Sequence, residues 1–434
     1  MKIKNKNILV YGLSSSGEWV SKLLTSKKAN VFLYDDDTRT LNSRPIKHCF
    51  LLQELNENLI SQFDIIVVSP SIEKDNQFLV LAEEKQIRIM SELELACFFT
   101  KKYVAITGTN GKTTTTELVT SILKKKYEAI ACGNIGYPVS RAVLEHKKEV
   151  KVIEVSSFML EHAETFSPHV ATITNIAPDH LVRHKTMEEY TALKKSIFKN
   201  LTPKDYAVVN LDDNIHPTMD SLTVTYSYKH TADVFISGGY IYLHQHKLVA
   251  VNELHIKGRH NLQNAMCAVC FGYIYNVKPQ DIREALIEYI PERFRIEEVG
   301  SVGGFNFIND SKSTNISSTL ACVETVKGAI VLLLGGSKKD LKYGELFSRL
   351  SKRVKFVICF GEIKEDLIAA CGEKFACVAC KDLKEAFEIA VTKAKKGDNI
   401  VLSPASASYD QYSSYIERGK DFDRLVRVYE STQK

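Results

Sequence analysis

Short apolar runs alternate along the chain with segments whose apolar residues recur at helical spacing. Near the N-terminus, "NILVYG", "NVFLYDD" and "DIIVVSP" have the character of buried strands. The intervening segments "GEWVSKLLTS" and "NQFLVLAEEKQ" have helical periodicity. Strands that alternate with helices in this way predict an α/β fold with a parallel sheet.

The same alternation starts again twice. A second series runs from "KKYVAITG" through "VKVIEVSS" and "VATITNIAP" to "DYAVVNLDD". A third series begins near Pro291 and contains "FNFIND", "AIVLLLGG", "KFVICFG" and "NIVLSPA". A chain of 434 residues is long enough for about three domains. We therefore predict domains at 1–97, 98–292 and 293–434.

The charge is nearly balanced, with 57 basic and 52 acidic residues and a formal net charge of +5. This balance gives no reason to expect a nucleic-acid partner or a membrane surface. No apolar run approaches the roughly 18 residues that a bilayer crossing needs, and the N-terminus lacks the apolar region of a signal peptide. We therefore expect a cytoplasmic protein without membrane insertion.

Ten cysteines are scattered through apolar segments, which is typical of reduced cytoplasmic thiols. Two pairs have CxxC spacing, Cys267 with Cys270 and Cys377 with Cys380. Only Ala and Val lie between the paired cysteines, rather than the Gly and polar residues of a metal knuckle. Buried structural thiols are therefore the better interpretation.

The stretch "VAITGTNGKTTTTELV", residues 104 to 119, predicts a strand, a glycine-containing turn and a helix that begins near Lys112. Glycines let the backbone approach a ligand, and N–H groups at a helix N-terminus favour an anion. Lys112 could reach the outer phosphates, and the Thr113 hydroxyl could help to hold Mg²⁺. Ile106 stands where the common GxxxxGK[ST] pattern has Gly, but the context still predicts binding of a nucleoside triphosphate.

Two further strands end in residues that could hold a metal ion. Glu154 ends "VKVIEVSS", and His180 follows "VATITNIAP". If both strands neighbour the phosphate-loop strand, the two side chains converge on the phosphates, because parallel sheets bind ligands at the carboxyl ends of their strands. Mg²⁺ prefers oxygen, so Glu154 is a good ligand and His180 alone is ambiguous. His184 has i,i+4 spacing to His180, but no third zinc ligand is evident.

The segment "TMEEYTALKKSIFKN" predicts a helix over 186–200, with a capping box formed by Thr186 and Glu189. Lys194 falls within its apolar stripe, whereas Lys195 and Lys199 face solvent. Burial of a charged lysine is unfavourable unless the charge is paired or removed. Two interpretations stay open: a stem on apolar surface with its head in water, or a neutral amine that reacts with CO₂ to form a carbamate ligand for a second Mg²⁺. The stripe consists of Met187, Tyr190, Leu193, Ile197 and Phe198.

Taken together, these segments resemble the Mur ligase family, which builds the peptide of bacterial cell-wall precursors. The matches follow the family order over nearly the whole chain. They are "GTNGKTT", "CGNIG" (132–136), "EVSSF" (154–158), "NIAPDH" (175–180), Lys194, "GRHNLQNAMCA" (258–268), "ERFR" (292–295), "NDSKSTN" (309–315), "LLLGGSKKD" (332–340) and "SPASASYDQYSSYIERGKDF" (403–422). The last two and "NDSKSTN" resemble the branch of the family that adds D-glutamate.

The resemblance implies a three-domain α/β fold. A Rossmann-like N-terminal domain would bind a UDP-sugar, a central phosphate-loop ATPase domain with a mostly parallel sheet would bind ATP, and a Rossmann-like C-terminal domain would bind the amino acid. The implied substrates are UDP-N-acetylmuramoyl-L-alanine and D-glutamate, joined through an acyl phosphate. The implied cofactors are two Mg²⁺ ions and a carbamylated Lys194, and we expect a monomer.

Family positions carry over to this chain residue by residue. The expected catalytic residues are Lys112, Glu154, His180 and Lys194. Thr113 and Glu154 would hold one Mg²⁺, and His180 with carbamylated Lys194 would hold the other. The expected ATP-binding residues are Gly108, Thr109, Asn110, Gly111, Lys112, Thr113, Thr114, Asn264, Arg293 and Asp310. Expected UDP-sugar contacts are Ser15, Ser16, Asp35, Asn134 and Ser156, and expected D-glutamate contacts are Lys312, Thr314, Lys339, Ser408, Tyr409 and Tyr415.

Three residues depart from the family pattern, and three rival functions share parts of it. Met159 replaces the usual Gln, Val182 replaces an Asp that often follows the metal-binding His, and Ser71 replaces a Gly. An NAD-dependent oxidoreductase would need a second glycine at Ser14. A phosphate-loop switch usually has Asp where this chain has Glu154. A ligase of the folate-polyglutamylating type shares the chemistry and stays open as an alternative.

Overall fold

Three sheets organise the protein in the computed structural model, which describes residues 1–37, 39–40, 46–213, 215–217, 221–338 and 343–433. Helices lie on the sheets, and apolar side chains of strands and helices form the buried cores. The predicted α/β class with mostly parallel sheets is confirmed. No helix in the described part of the chain combines the length and apolarity that a membrane crossing requires.

The first sheet is built from residues 7–91. Its strands are β1 (Asn7–Tyr11), β2 (Asn30–Tyr34), β3 (Cys49–Leu51), β4 (Ile65–Val68) and β5 (Arg88–Ser91). They are parallel, in the order β3-β2-β1-β4-β5. Strand β4 is buried at every position, as expected for a parallel sheet covered on both faces. The accompanying helices are α1 (Ser15–Ser26), α2 (Glu57–Ile60), α3 (Gln77–Glu84) and α4 (Glu92–Cys97).

The second sheet is built from residues 103–250. Its strands are β6 (Tyr103–Thr107), β7 (Ala129–Gly133), β8 (Val150–Glu154), β9 (Val170–Ile173), β10 (Tyr206–Asn210), β11 (Leu222–Ser227), β12 (Val234–Ser237), β13 (Tyr240–Leu243) and β14 (His246–Ala250). Their order is β14-β13-β12-β11-β10-β9-β6-β8-β7, parallel except for the pairs β12–β13 and β13–β14. Helices are α5 (Lys112–Lys124), α6 (Val139–Glu145), α7 (Ser157–Leu160), α8 (Leu181–His184), α9 (Met187–Lys195), α10 (Arg259–Ile274) and α11 (Pro279–Glu288).

The third sheet is built from residues 297–405. Its strands are β15 (Glu297–Val302), β16 (Phe305–Asn309), β17 (Ile330–Gly335), β18 (Val354–Phe360), β19 (Cys377–Ala379) and β20 (Asn399–Ala405). Their order is β15-β16-β20-β17-β18-β19, and only the pair β15–β16 is antiparallel among the described strands. Helices are α12 (Ile316–Thr325), α13 (Gly344–Arg349), α14 (Lys364–Cys371), α15 (Leu383–Lys393) and α16 (Tyr415–Thr432).

The chain divides into two compact units, Met1–Leu254 with Gln263–Tyr289, and His255–Leu262 with Ile290–Lys434. The first two sheets lie in the first unit and the third sheet lies in the second. The predicted domain limits at 97 and 292 fall between the sheets, and as limits of domains they stay predictions.

The helix predicted over 186–200 is shorter than expected. Helix α9 ends at Lys195, and Ser196–Phe198 form a 3-10 turn. The Ser196 hydroxyl donates to the Leu193 carbonyl at 2.7 Å, a local bond that competes with continuation of the helix. The N-cap half of the predicted capping box is confirmed, because Thr186 Oγ1 accepts a hydrogen bond from the Glu189 N–H at 3.1 Å. The reciprocal half is not formed, because the Thr186 N–H donates to the His184 carbonyl at 2.7 Å.

Candidate active site

The strand that leads into the glycine-containing turn lies between the two strands that end in candidate metal ligands. Strand β6 pairs with β8 so that Ile106 lies opposite Glu154, and it pairs with β9 so that Thr107 lies opposite Ile173. The condition set from the sequence, that these strands are neighbours, is therefore confirmed. The carboxyl ends of the three strands meet at one edge of the sheet, where α/β proteins bind ligands.

Two glycines of this turn are required by their surroundings. Gly108 has φ +144°, and a Cβ there would lie 1.9 Å from Thr174 Oγ1. Gly111 has φ +81°, and a Cβ there would lie 2.4 Å from Asn264 Oδ1. Asn264 is thus brought to the turn by α10, as its predicted role in ATP binding requires. The turn ends at the N-terminus of α5, where backbone N–H groups favour an anion.

The polar residues of the turn are held by hydrogen bonds. Asn110 N–H donates to Asn175 Oδ1 at 3.0 Å, and Thr109 N–H donates to the Asn175 carbonyl at 2.9 Å. Thr113 lies in the first turn of α5, and the Thr114 hydroxyl beside it is buried without a hydrogen-bond partner among the described residues. The turn therefore has a fixed backbone, which suits a site that must hold several phosphate oxygens at once.

Lys112 and Lys194 meet at one backbone oxygen. Lys112 Nζ donates to the Gly108 and Thr109 carbonyls, each at 2.9 Å, and Lys194 Nζ also donates to the Gly108 carbonyl at 2.9 Å. Lys194 is 1% exposed, so the interpretation with its head in water is wrong. Burial, together with the charge of Lys112, lowers the pKa of Lys194 to about 6. The amine is therefore mostly neutral at pH 7, as carbamate formation requires.

Helix α9 is fastened to the turn at a second point. Tyr190, one helical turn before Lys194, shares a hydrogen bond with Thr109 Oγ1 at 3.1 Å. Lys194 Nζ lies 4.8 Å from the centroid of the Tyr190 ring. Of the predicted apolar stripe, Tyr190, Ile197 and Phe198 are buried, whereas Met187 and Leu193 are partly buried. The role of Tyr190 was missed, although its polar tip within an apolar stripe was a signal.

Glu154 has the arrangement that a cation ligand needs. Its side chain is 2% exposed, and Oε1 accepts a hydrogen bond from Asn134 Nδ2 at 2.8 Å. Its Oε2 is buried without a hydrogen-bond partner in the described part of the chain, and a buried carboxylate oxygen in that state calls for an ion or another donor. The predicted oxygen ligand therefore fits Mg²⁺.

His180, the other candidate metal ligand, follows β9 and is more exposed than Glu154. Its side chain is 45% exposed, its φ is +54°, and its ring lies 4.9 Å from the Phe158 ring. Asp179 Oδ2 lies 3.7 Å from His180 Nε2. His184 is instead buried, and its Nε2 shares a hydrogen bond with Ser157 Oγ at 2.9 Å, so it stabilises the fold.

The structure shows the surroundings of two residues that depart from the family pattern, Met159 and Val182. Met159 is 3% exposed and packs in the core of the second sheet, where an apolar side chain fits better than an amide. Val182 is 74% exposed. Ser156 caps α7, since its Oγ accepts a hydrogen bond from the Met159 N–H at 3.4 Å.

The first strand–helix turn is tightly built. Gly12 has φ +93°, and a Cβ on Gly17 would lie 2.0 Å from the Gly12 carbonyl oxygen. Asp35 Oδ2 accepts a hydrogen bond from the Leu13 N–H at 2.6 Å. Ser15 begins α1, and Ser16 Oγ shares a 3.0 Å hydrogen bond with Ser14. Asp35 thus stabilises this turn, and its predicted contact with a UDP-sugar, like those of Ser15 and Ser16, stays a prediction.

In the second compact unit, two of the predicted amino-acid contacts, Lys312 and Tyr415, meet at one carboxylate. Lys312 forms an ion pair with Glu292, and the Tyr415 hydroxyl donates to Glu292 Oε1 at 3.5 Å. Thr314 is partly buried just before the N-cap of α12, and Ser408 is 2% exposed. Tyr409 is 76% exposed. Lys339 lies outside the described residues.

Arg293 and Asp310, both predicted to contact ATP, are held by neighbours within this unit. Arg293 pairs with Asp423 and, at 3.0 Å, with Glu297. Asp310 accepts hydrogen bonds from Ser403 Oγ at 2.7 Å and from a backbone N–H at 3.2 Å. Burial raises the pKa of Asp310 to about 6.

Arg418 is a residue of this region that sequence reasoning missed. It is fully buried, and it donates hydrogen bonds to backbone carbonyls of three separate segments, at residues 311, 335 and 406–407. Burial lowers its pKa to about 10. The segments it joins lead to the predicted amino-acid contacts. A signal was present, because Arg418 has helical spacing to the apolar residues Phe422, Leu425 and Val426.

Comparisons with known proteins cover most of the chain. Residues 106–272 match the Mur ligase middle domain, and residues 294–406 match the Mur ligase glutamate ligase domain. A Thermoanaerobacter sp. (strain X514) protein named UDP-N-acetylmuramoylalanine--D-glutamate ligase is 34% identical, over 98% of this chain and 99% of that protein. A protein of the same name from Koribacter versatilis (strain Ellin345) is 35% identical over the full length of both.

Solved structures share the fold at lower identity. The UDP-N-acetylmuramate-alanine ligase MurC from Thermotoga maritima has a TM-score of 0.59 and 18% identity, over 98% of this chain and 100% of that chain. The MurF ligase from the same organism, solved in complex with ADP, has a TM-score of 0.60 and 16% identity, over 99% of this chain and 95% of that chain. Both support the three-domain α/β architecture.

Proposed function

The chain belongs to the Mur ligase family, and we propose that it joins D-glutamate to UDP-N-acetylmuramoyl-L-alanine in an ATP-dependent reaction of peptidoglycan precursor synthesis. The full-length relatives carry that activity in their names, and the matched family domains are those of ATP-dependent amide ligases. One observation supports the proposal most directly. At the carboxyl ends of the strands of the second sheet, Lys112 and Lys194 both donate to the Gly108 carbonyl, beside the strand that ends at Glu154.

The reaction has two chemical steps. The L-alanine carboxylate attacks the γ-phosphorus of ATP, the bond to the bridging oxygen breaks, and an acyl phosphate and ADP form. The neutral amine of D-glutamate then attacks the acyl carbon, the bond from that carbon to the phosphate oxygen breaks, and phosphate leaves as the nitrogen loses a proton and the amide forms. In both steps the protein mainly orients the reactants and balances negative charge. Lys112 and the N–H groups of residues 108–114 supply that balance around the triphosphate.

The metal ligands proposed for the site fit the residues present. Thr113 and Glu154 would hold one Mg²⁺, and the buried Oε2 of Glu154 supports this. His180 and a carbamate on Lys194 would hold the other, because a neutral lysine that adds CO₂ and loses a proton gains two ligand oxygens. When bound, Mg²⁺ would withdraw charge from the phosphate oxygens.

The amino acid would bind in the C-terminal domain, at the predicted contacts Lys312, Thr314, Lys339, Ser408, Tyr409 and Tyr415. D-glutamate has two carboxylates, and cationic or hydroxyl donors recognise them. The UDP-sugar would bind at the first strand–helix turn, with Ser15, Ser16 and Asp35, and at Asn134 and Ser156. We also propose that the enzyme acts in the cytoplasm as a monomer, and its ten free cysteines support a reducing compartment.

Release of ADP in the presence of a panel of amino acids tests this function. Turnover should require both UDP-N-acetylmuramoyl-L-alanine and D-glutamate, and omission of either should abolish it. The matched acceptors are D-aspartate, D-alanine and L-glutamate, which differ from D-glutamate in side-chain length, side-chain charge or stereochemistry. Release driven by L-glutamate with a folate, or without any acceptor, would contradict the proposal and favour the alternative ligase type.

A further inference from the structure

In the proposed amino-acid pocket, the cationic side chain of Lys312 is already paired with a carboxylate of the protein itself. Glu292 forms an ion pair with Lys312, whose side chain is 15% exposed. The Tyr415 hydroxyl donates to the same carboxylate at 3.5 Å, and Lys312 Nζ lies 5.2 Å from the centroid of the Tyr415 ring. An ammonium and a phenol therefore converge on one carboxylate, which is also how a protein recognises the carboxylate of a ligand.

The backbone delivers Glu292 to this position. Two residues later, the Phe294 carbonyl accepts a hydrogen bond from the Lys312 N–H at 3.2 Å. The Phe294 ring packs so closely on α16 that a Cβ on Gly419 would lie 2.5 Å from it. The Ile296 N–H donates to Asp310 Oδ1 at 3.2 Å. The segment 292–296 is thus held against the loop that carries Lys312 and against α16, which begins at Tyr415, so the ion pair is part of the built pocket.

We propose that Glu292 is an internal substitute for a substrate carboxylate, and that D-glutamate displaces it from Lys312 when it binds. This inference rests on the proposed function, because it takes Lys312 and Tyr415 as contacts of the amino acid. Displacement replaces one carboxylate with another, so Lys312 keeps a partner throughout. An acceptor without a carboxylate at this point leaves the internal pair intact and gains nothing from Lys312. Glu292 therefore limits affinity and contributes to acceptor specificity.

The variant Glu292→Gln tests displacement directly. The amide keeps the size of the side chain and an oxygen for Tyr415, but it no longer competes as an anion. With ATP and the nucleotide-sugar saturating, the KM for D-glutamate should fall about two- to fivefold, the range expected for one partly exposed ion pair. The KM for ATP should not change. In the matched control Glu298→Gln, which removes a surface pair with Lys257 at 2.6 Å in the same unit, no KM should change.

A double variant shows whether the effect passes through Lys312. Glu292→Gln should alter the KM for D-glutamate in the natural background and should have no further effect in the Lys312→Met background. An unchanged or raised KM in Glu292→Gln alone would overturn displacement while leaving the proposed reaction intact.

Binding of glutarate separates this inference from the proposed reaction. Glutarate is a dicarboxylate without an amine, so calorimetry can follow its binding to the resting enzyme without turnover. Tighter binding to Glu292→Gln than to the unaltered protein is expected, and equal binding would overturn the inference. If another amino acid drives ADP release, the proposed acceptor is wrong, and the same KM comparison applies to that amino acid.

Discussion

At the scale of single residues, Lys194 constrains the chemistry most strongly. We expect Lys194→Ala to abolish turnover, because the variant loses the amine that would become the carbamate. Small carboxylic acids such as acetate should partly restore activity by supplying the missing oxygen ligand. ADP release measured with and without the added acid checks both statements.

The next residue of the same helix gives the control. Lys195 is partly exposed and lies outside the apolar stripe, so Lys195→Ala should keep most of the activity. Full activity in Lys194→Ala, or equal stimulation of both variants by the acid, would remove the carbamate from the mechanism.

Which residues the sequence could predict depends on how local their signal is. Lys194 was predictable because helical periodicity alone places it among buried side chains. The pairing of Lys312 with Glu292 was not, because the two residues belong to separate segments and meet only through the folded backbone. Arg418 is intermediate: its spacing signals burial, but nothing local reveals the three segments that it joins.

At the scale of elements, the turn between β6 and α5 makes a sharp prediction. Gly108→Ala combines an unfavourable φ with a Cβ placed 1.9 Å from Thr174 Oγ1. It should cost about 3 kcal/mol or more of stability and weaken nucleotide binding. Thermal unfolding and titration with a fluorescent nucleotide measure the two effects.

Gly136→Ala isolates the backbone contribution. Gly136 has φ +89°, and a Cβ added there would meet no other atom of the described residues within 4 Å, so this variant produces no clash. It should cost only about 1–2 kcal/mol, the ordinary penalty for a left-handed residue with a side chain. Equal losses in the two variants would show that contact with Thr174 has no role.

The elements themselves were largely predictable, whereas their arrangement was less so. Apolar runs and helical periodicity located the parallel strands, and the prediction that β8 and β9 neighbour β6 is confirmed. The antiparallel extension β12–β14 was not predicted, because a hairpin at a sheet edge has short strands without distinctive periodicity. At the early end of α9, the Ser196 hydroxyl bonds to the Leu193 carbonyl, a specific contact that average helix propensities do not include.

At the scale of the whole molecule, the two compact units predict two unfolding transitions in calorimetry. Arg418→Ala should lower only one of them, since the hydrogen bonds of Arg418 described above lie within the second unit. Loss of a buried cation leaves several carbonyls without donors, which should cost about 3 kcal/mol or more and lower that transition by roughly 6 °C or more.

A variant at the helix surface gives the comparison for this measurement. Arg424 is 59% exposed and pairs with Asp421 at 2.7 Å, so Arg424→Ala should shift neither transition by more than about 2 °C. A shift of both transitions in Arg418→Ala would mean that the units do not unfold independently.

The position of Lys112 has a consequence for the catalytic cycle. Its ammonium already donates to two carbonyl oxygens of its own loop, so a polyphosphate that binds there gains a cation whose charge is already partly balanced. The contribution of Lys112 to nucleotide binding is then the difference in free energy between its contacts with the phosphates and its contacts with the loop carbonyls. This difference is smaller than the contribution of a lysine without contacts in the free protein. A shorter residence time follows for ADP, which must leave the site once for every amide bond that forms.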